Sequence, residues 1–246
     1  MKGISTQTPS NSTASRHTRN RERATRNECG RTNGLSSLVS FPRRNNRWGD
    51  ARFRGNCDGG LFKELVHHYR PQRVADPMLG SGTTADVMDD LRYHGLSPAR
   101  YWGSDLRRGF NLLTDDMPGN FDFIWVHPPY WDIIRYRPDD VRDLSNFGQY
   151  GEFIVALTVC LTRCVDAIRP GGRLAVLVGD VRKRGRYYPL AADVAAMAPA
   201  LGELTSVIIK AQHNCRSDSR VYASMRDLPI KHETCLVFQR PAAGAR

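Results

Sequence analysis

Apolar side chains recur along this chain at two periods that take turns, near 3.6 residues and near 2. Leu61–Tyr69 reads as a helix, with Leu61, Leu65 and His68 at helical spacing and Pro71 to end it. Arg73–Pro77 is a short strand, and Thr83–Tyr93 a helix closed by Gly95. Arg100–Ser104 is a strand, and Phe121–Val126 another, apolar apart from Asp122. Gly151–Ile168 is a long helix carrying Phe153, Leu157, Leu161, Cys164 and Ile168 on one face. Pro170-Gly171-Gly172 is a turn ahead of a buried strand, Arg173–Val178. Leu190–Leu201 reads as one Ala-rich helix, followed by strands at Thr205–Lys210 and Glu233–Gln239 that pair antiparallel. Strands alternating with helices predict an α/β layered sheet, mostly parallel, and the apolar strands predict helices on both faces.

Composition changes this picture at one end. Residues 1–38 are rich in Ser, Thr, Asn and Arg and nearly devoid of large apolar side chains, so they cannot offset their own ordering entropy. We expect a disordered basic arm over 1–38, one catalytic domain over 39–240 and a flexible tail over 241–246. The 246 residues suffice for one domain with a full core. Lys and Arg number 36 against 25 Asp and Glu, a formal charge of +11. Ten of those bases and only three of the acids fall within residues 1–50. A basic arm on a nearly balanced domain suits a partner rich in phosphate, and equally a solubilising tail.

The longest apolar run, around Phe153–Cys160, is far below the roughly 18 residues a membrane span needs, so no membrane partner is expected. The N-terminus has no apolar signal core, which makes a reduced cytoplasmic setting the default. The six cysteines show no CxxC pair, and Cys160 and Cys164 read as small core residues, not metal ligands; no metal is expected.

Three segments carry candidate chemistry. In Asp76-Pro77-Met78-Leu79-Gly80-Ser81-Gly82-Thr83-Thr84 a strand runs into a glycine turn and then a helix. Gly80 and Gly82 allow positive φ and close approach of a ligand, and Thr83 or Thr84 can cap the helix. The Lys-Ser/Thr of a phosphate loop is missing, and Asp76 suits a cationic group better than a pyrophosphate. The alternative is a tight turn in which Asp76 only caps. Asp105, at the end of the second strand, stands where nucleoside-binding sheets hold a ribose diol. Alone it could be a solvated strand end; beside the glycine turn it points to adenosine. Last, His127-Pro128-Pro129-Tyr130-Trp131 follows an apolar strand. The prolines end the ladder and free a carbonyl to accept, and two aromatic faces offer stacking on a base.

Together, Asp-Pro-Met-Leu-Gly-Ser-Gly-Thr-Thr at 76–84 and His-Pro-Pro-Tyr-Trp at 127–131 resemble the amino-directed DNA methyltransferases. These methylate N6 of adenine or N4 of cytosine with S-adenosylmethionine. The resemblance spans about Val39–Phe238 and includes Trp48-Gly49-Asp50, Arg54-Gly55-Asn56, Arg169–Arg173 and Gly179-Asp180-Val181-Arg182. Small stand-alone methylases of phages and mobile elements are the nearest in kind. The resemblance implies a Rossmann-like methyltransferase sheet with an antiparallel C-terminal pair, DNA as partner and adenine favoured over cytosine. It also implies that Asp76, Pro77, Met78, Gly80, Ser81, Gly82, Thr83 and Thr84 hold the methionine end of the cofactor and Asp105 its ribose. Asn111 is implied at the cofactor adenine, with Asp115 and Asp116 as competitors, while Arg54, Gly55 and Asn56 close over the methionine. His127 and the Pro128 carbonyl would accept from the target amine, with Pro129 fixing the backbone; Tyr130 and Trp131 would stack on the extruded base. Transfer would be a direct in-line displacement without an enzyme-bound intermediate.

The sequence departs from the family at His127, where Asp, Asn or Ser is usual; only a neutral imidazole can accept. With no long insertion or C-terminal extension after the His-Pro-Pro-Tyr motif, we expect no separate recognition domain. Base reading then falls to the Asp132–Tyr150 loop, the His213–Tyr222 loop, the basic arm, or Arg182, Lys183, Arg184 and Arg186 with Tyr187 and Tyr188. An RNA amine methylase and a binding protein without turnover stay open beside the DNA enzyme. So do a homodimer and a partner restriction enzyme.

Overall fold

The computed structural model describes residues 35–213, 226–242 and 244; the arm expected over 1–38 and the loop expected to read bases at 213–222 therefore fall mostly outside the described residues. In chain order the elements are β1 (Leu38–Ser40), α1 (Gly60–Tyr69), β2 (Arg73–Asp76), α2 (Thr83–Tyr93), β3 (Arg100–Gly103) and β4 (Phe121–Val126). Then come α3 (Tyr150–Ala167), β5 (Ile168–Val178), β6 (Val181–Lys183), β7 (Arg186–Tyr188), α4 (Leu190–Ala196), α5 (Ala198–Leu201), β8 (Glu203–Ala211) and β9 (His232–Gln239).

Seven strands form one sheet in the order β1-β8-β9-β5-β4-β2-β3. The pairs β1/β8, β2/β3, β2/β4 and β4/β5 are parallel; β9 runs antiparallel to both β5 and β8. This is the Rossmann-like sheet with an antiparallel C-terminal pair that the resemblance implies.

Period-two alternation on β4 explains why both faces are covered. Phe123 and Trp125 point to one side, into a cluster with Leu61, Leu65, Val66, Val87 and Leu91 of α1 and α2. Ile124 and Val126 point to the other, into a cluster with Phe153, Leu157, Cys160 and Leu161 of α3 and Leu190 of α4. Each such large side chain contributes about 1.5–3 kcal/mol by leaving water, which a strand buried on both faces collects twice over. Cys160 and Cys164 sit in this core, as their helical spacing suggests.

Three local readings change, and two elements are new. The buried face of α1 is Leu61, Phe62, Leu65 and Val66, and His68 is exposed. Pro170-Gly171-Gly172 is no free turn but lies within β5, whose pairing with β4 shifts register between Phe121 and Phe123. Gly171 takes φ 79° there, and its N–H donates to the Arg240 carbonyl at 2.9 Å, so the strand bulges and continues. Leu190–Leu201 divides at Met197, because Pro199 has no N–H for the preceding turn. The basic segment 181–188 is a hairpin, β6–β7, turning through Arg184 (φ 50°) and Gly185 (φ 77°). β1 is not legible in the sequence either, since three residues carry no measurable period.

Among the described residues no helix is long and apolar enough to cross a membrane.

Candidate active site

A cavity opens where β2, β3 and β4 end, and two further segments wall it in: residues 53–57 before α1, and 136–144 after β4. This is the usual ligand position for a parallel sheet, where loops leave the carboxyl ends of the strands.

Asp76 closes β2 and is 3% exposed. Its Oδ1 accepts from the Met78 N–H at 3.0 Å and its Oδ2 from the Thr84 hydroxyl. Burial drives its carboxyl up to about 7, against the lowering effect of those two bonds. No ion-pair partner of Asp76 is found among the described residues. The glycine turn takes positive φ at Gly80 (56°) and Gly82 (91°), and the space a Gly82 side chain would enter is open to 4 Å. Gly82 itself is the N-cap of α2 and no side chain caps it. The capping expected of Thr83 or Thr84 is thus not found: Thr83 donates to Asn56 Oδ1, Thr84 to Asp76. Pro77, Met78, Ser81 and both threonines line the cavity.

Asp105 lines the same cavity from the end of β3. Its Oδ1 accepts from the N–H groups of Arg107 (3.0 Å) and Arg108 (3.1 Å). Its Oδ2 is buried and accepts no hydrogen bond, although the Arg107 and Arg108 guanidiniums lie 3.5 and 3.6 Å from it. Asn111 lines the wall and is buried, while the Asp115 carboxylate turns back onto the Asn111 N–H (2.7 Å) and Asp116 pairs with Arg163 at 2.9 Å. Of the three candidates, only Asn111 faces the cavity.

The covering segments are tied down locally. Phe53 stacks on Tyr136 with centroids 5.7 Å apart, and the Arg107 guanidinium sits 4.7 Å over the Phe53 ring. Gly55 is needed there, because a side chain at that position would run into the Tyr136 hydroxyl. Asn56 lines the cavity and Arg54 does not; Arg54 is exposed. Asp143 and Asn146 hold the other segment through the Arg137 N–H (2.8 Å) and carbonyl (2.7 Å). Part of the loop expected to read bases therefore walls the cavity.

His127 and Pro129 reach the cavity; Pro128 is buried behind them. Burial lowers the His127 pKa below the ordinary histidine value, although Glu233 pulls the other way. The imidazole Nε2 lies 2.8 Å from the Tyr130 hydroxyl, which donates to Glu233 Oε1 at 2.7 Å. Lys210 Nζ in turn donates to Glu233 Oε2 (3.0 Å) and pairs with Asp58 (2.7 Å). None of Glu233, Lys210 and Asp58 stands out in the sequence as a site residue. A Lys directly after the apolar run Val207-Ile208-Ile209 and a Glu shortly before Cys235–Phe238 were the available signal.

Trp131 does not fit the stacking role expected of it. It is 5% exposed, donates Nε1–H to the Phe147 carbonyl at 2.8 Å, and is enclosed by Tyr150, Tyr188 and the Lys183 ammonium. The Tyr130 ring packs its edge on Gly179. In the hairpin, Arg182 pairs with Asp227 (2.9 Å) and Lys183 with Asp132, so both are engaged within the protein. Arg184, Arg186 and Tyr187 are exposed.

No family model and no curated protein matches the chain. Among solved structures, a candidate DNA modification methylase from Thermus thermophilus, complexed with S-adenosyl-L-methionine, is 26% identical at a TM-score of 0.37 over 55% of this chain. The match spans about half of that protein's length (53%). A candidate class I S-adenosylmethionine-dependent methyltransferase from Listeria monocytogenes is 14% identical over 76% of this chain and 60% of its own, at 0.49. A 1,6-didemethyltoxoflavin N1-methyltransferase from Burkholderia thailandensis is 15% identical over 74% and 78%, at 0.43. At such scores the site's own residues must carry the functional reading.

Proposed function

We propose that this chain is an S-adenosylmethionine-dependent methyltransferase acting on an exocyclic amine of a DNA base, with adenine N6 favoured over cytosine N4. The observation that carries the reading is His127 on the wall of the cavity that also holds Asp76 and Asp105. The residues fit the cofactor. Asp76 is a buried carboxylate lacking a cation, suited to an ammonium, and the buried Oδ2 of Asp105, which accepts no hydrogen bond although Arg107 and Arg108 lie 3.5 and 3.6 Å away, suits a ribose hydroxyl. Asn111 would meet the adenine, and the uncapped start of α2 would meet a carboxylate. When bound, the cofactor supplies an electrophilic methyl group on a sulfonium.

The protein's part is positioning. An exocyclic amine is nearly planar, its lone pair shared with the ring. An acceptor on one of its hydrogens draws the nitrogen toward tetrahedral geometry and keeps the lone pair available. A neutral imidazole at His127 can accept through the nitrogen that does not face Tyr130. One such bond, preorganised in a dry site, is worth about 3 kcal/mol, or about a hundredfold in rate. Exposed Arg184 and Arg186 at the hairpin tip, with the basic residues before Leu35, offer phosphate contacts.

The deciding experiment incubates the purified chain with methyl-labelled S-adenosylmethionine and either duplex DNA or RNA, then maps modified bases on DNA from expressing cells. Label in DNA at an adenine or cytosine amine is expected. Label in RNA alone, or in neither while the cofactor binds, would replace this reading by one of the two alternatives raised by the sequence.

A further inference from the structure

The buried chain of polar groups behind His127 is longer than packing requires. Lys210 and Glu233 are register partners on adjacent antiparallel strands, 5% and 7% exposed. A buried ion pair at that place is seldom more stabilising than two apolar side chains of the same size, so its presence calls for another reason. Its far end reaches Asp58, beside Cys57 and Asn56 in the segment that covers the cavity. Its near end reaches the Tyr130 hydroxyl, 2.7 Å from Glu233.

That hydroxyl has one proton and two neighbours. A carboxylate can only accept, and Glu233 stays ionised: burial alone would raise its pKa, but the Lys210 ammonium, His127 and the hydrogen bonds from Tyr130 and Lys210 together lower it. The Tyr130 proton is therefore directed to Glu233, and the Tyr130 oxygen is left to His127 as an acceptor. Nε2, 2.8 Å away, must then carry a hydrogen. In a neutral imidazole the other nitrogen, Nδ1, is bare. Nδ1 has no hydrogen-bond partner among the described residues, and His127 lines the cavity.

The geometry points to Glu233 as a positioning residue that, through Tyr130, fixes the His127 tautomer so that Nδ1 is the acceptor offered to the target amine. This rests on the reading of His127 given above, and it explains how histidine can stand where an oxygen acceptor is usual. An Asp or Asn needs no tautomer to be chosen for it; a histidine does. The titratable groups around the imidazole are Tyr130 on its own segment, Glu233 on β9, Lys210 on β8, and Asp58 from the covering segment.

The test is nitrogen NMR on protein labelled at histidine, with His127→Asn to assign the signals, combined with single-turnover methyl transfer. In the unmodified protein Nδ1 should be the unprotonated nitrogen. Glu233→Gln leaves Lys210 paired with Asp58, and cofactor binding and thermal unfolding report whether the fold is intact. That variant should show mixed tautomers and a rate lower on the order of tenfold, less than the about hundredfold loss expected when the acceptor itself is removed. Tyr130→Phe should mix the tautomers as well. In a His127→Asn background, Glu233→Gln should cost little, since the amide oxygen needs no such direction. A protonated Nδ1 in the unmodified protein overturns the inference, as does an equal rate loss from Glu233→Gln in both backgrounds. A bare Nδ1 with transfer indifferent to His127→Ala would instead overturn the acceptor role of His127 itself. The NMR result distinguishes those two failures.

Discussion

Lys210 Nζ and Glu233 Oε2 lie 3.0 Å apart across the β8–β9 ladder, and Lys210 also reaches Asp58 at 2.7 Å. One ammonium thus compensates two carboxylates, one on the sheet and one on the segment over the cavity. Lys210→Met should cost about 3–5 kcal/mol in denaturant unfolding, because both carboxylates lose their counter-charge while Glu233 stays buried. Unlike the deficit from an ordinary core defect, this one should depend on pH. In the intact protein Glu233 titrates below its usual value, so its stabilisation is present above the ordinary carboxylate range and is lost as acid approaches the lowered value. Without Lys210, burial raises it instead, and the deficit of the variant should shrink on mild acidification. A deficit that is constant with pH would show that Glu233 was not the group left uncompensated.

Asp76 should make cofactor affinity depend on pH. Its carboxyl is held up to about 7 by burial, and an ammonium favours the ionised form. Binding should therefore weaken below about pH 7, by at most tenfold per unit, and protons should be released on binding near that pH. Asp76→Asn should bind much more weakly and without that dependence. Calorimetry in two buffers of different ionisation enthalpy measures both quantities, and unchanged affinity in the variant would remove Asp76 from the site.

His127 should give methyl transfer an acid limb. Burial lowers its pKa, so the imidazole is neutral and accepting at neutral pH, and activity should fall only below the ordinary histidine value of about 6.5. His127→Asp should retain transfer and lose that limb, and His127→Ala should slow the rate by about a hundredfold with little change in cofactor binding. Single-turnover rates across the acid range on one DNA decide the matter. Superimposable profiles for the wild type and His127→Asp would exclude the imidazole.

DNA affinity should depend on two separate basic features. Arg184→Ala with Arg186→Ala should weaken binding at every sequence and reduce the log–log salt slope by up to about 0.9 for each phosphate no longer neutralised. Removing residues 1–34, which hold seven Lys or Arg, should do the same independently. Cofactor affinity should not change in either case. By contrast, Arg182 and Lys183 are engaged by Asp227 and Asp132, and their removal should show mainly as reduced stability. Equal salt slopes for all forms, measured by fluorescence anisotropy, would relieve the hairpin and the arm of any role at the phosphates.

What the sequence determined by itself was whatever is written in local pattern. Period-two and period-3.6 runs set the order of strands and helices, because burying one face of an element requires apolar residues at its own repeat. The glycine turn and the two aspartates at strand ends were legible, since positive φ and a strand-terminal carboxylate are decided within a few residues. Short or polar elements were not: β1 and the β6–β7 hairpin have three-residue strands, too short for a period to show. Nor could neighbouring residues say which aromatic faces the ligand. Trp131 follows Tyr130 directly, yet its indole is claimed by Phe147, Tyr150, Tyr188 and Lys183, which lie far along the chain. The same holds behind His127. The Tyr130–Glu233 bond joins residues 103 apart, made neighbours because β9 inserts antiparallel between β5 and β8. Local propensity places a histidine after a strand; only the pairing of distant strands sets a carboxylate behind it and so decides which of its nitrogens can accept.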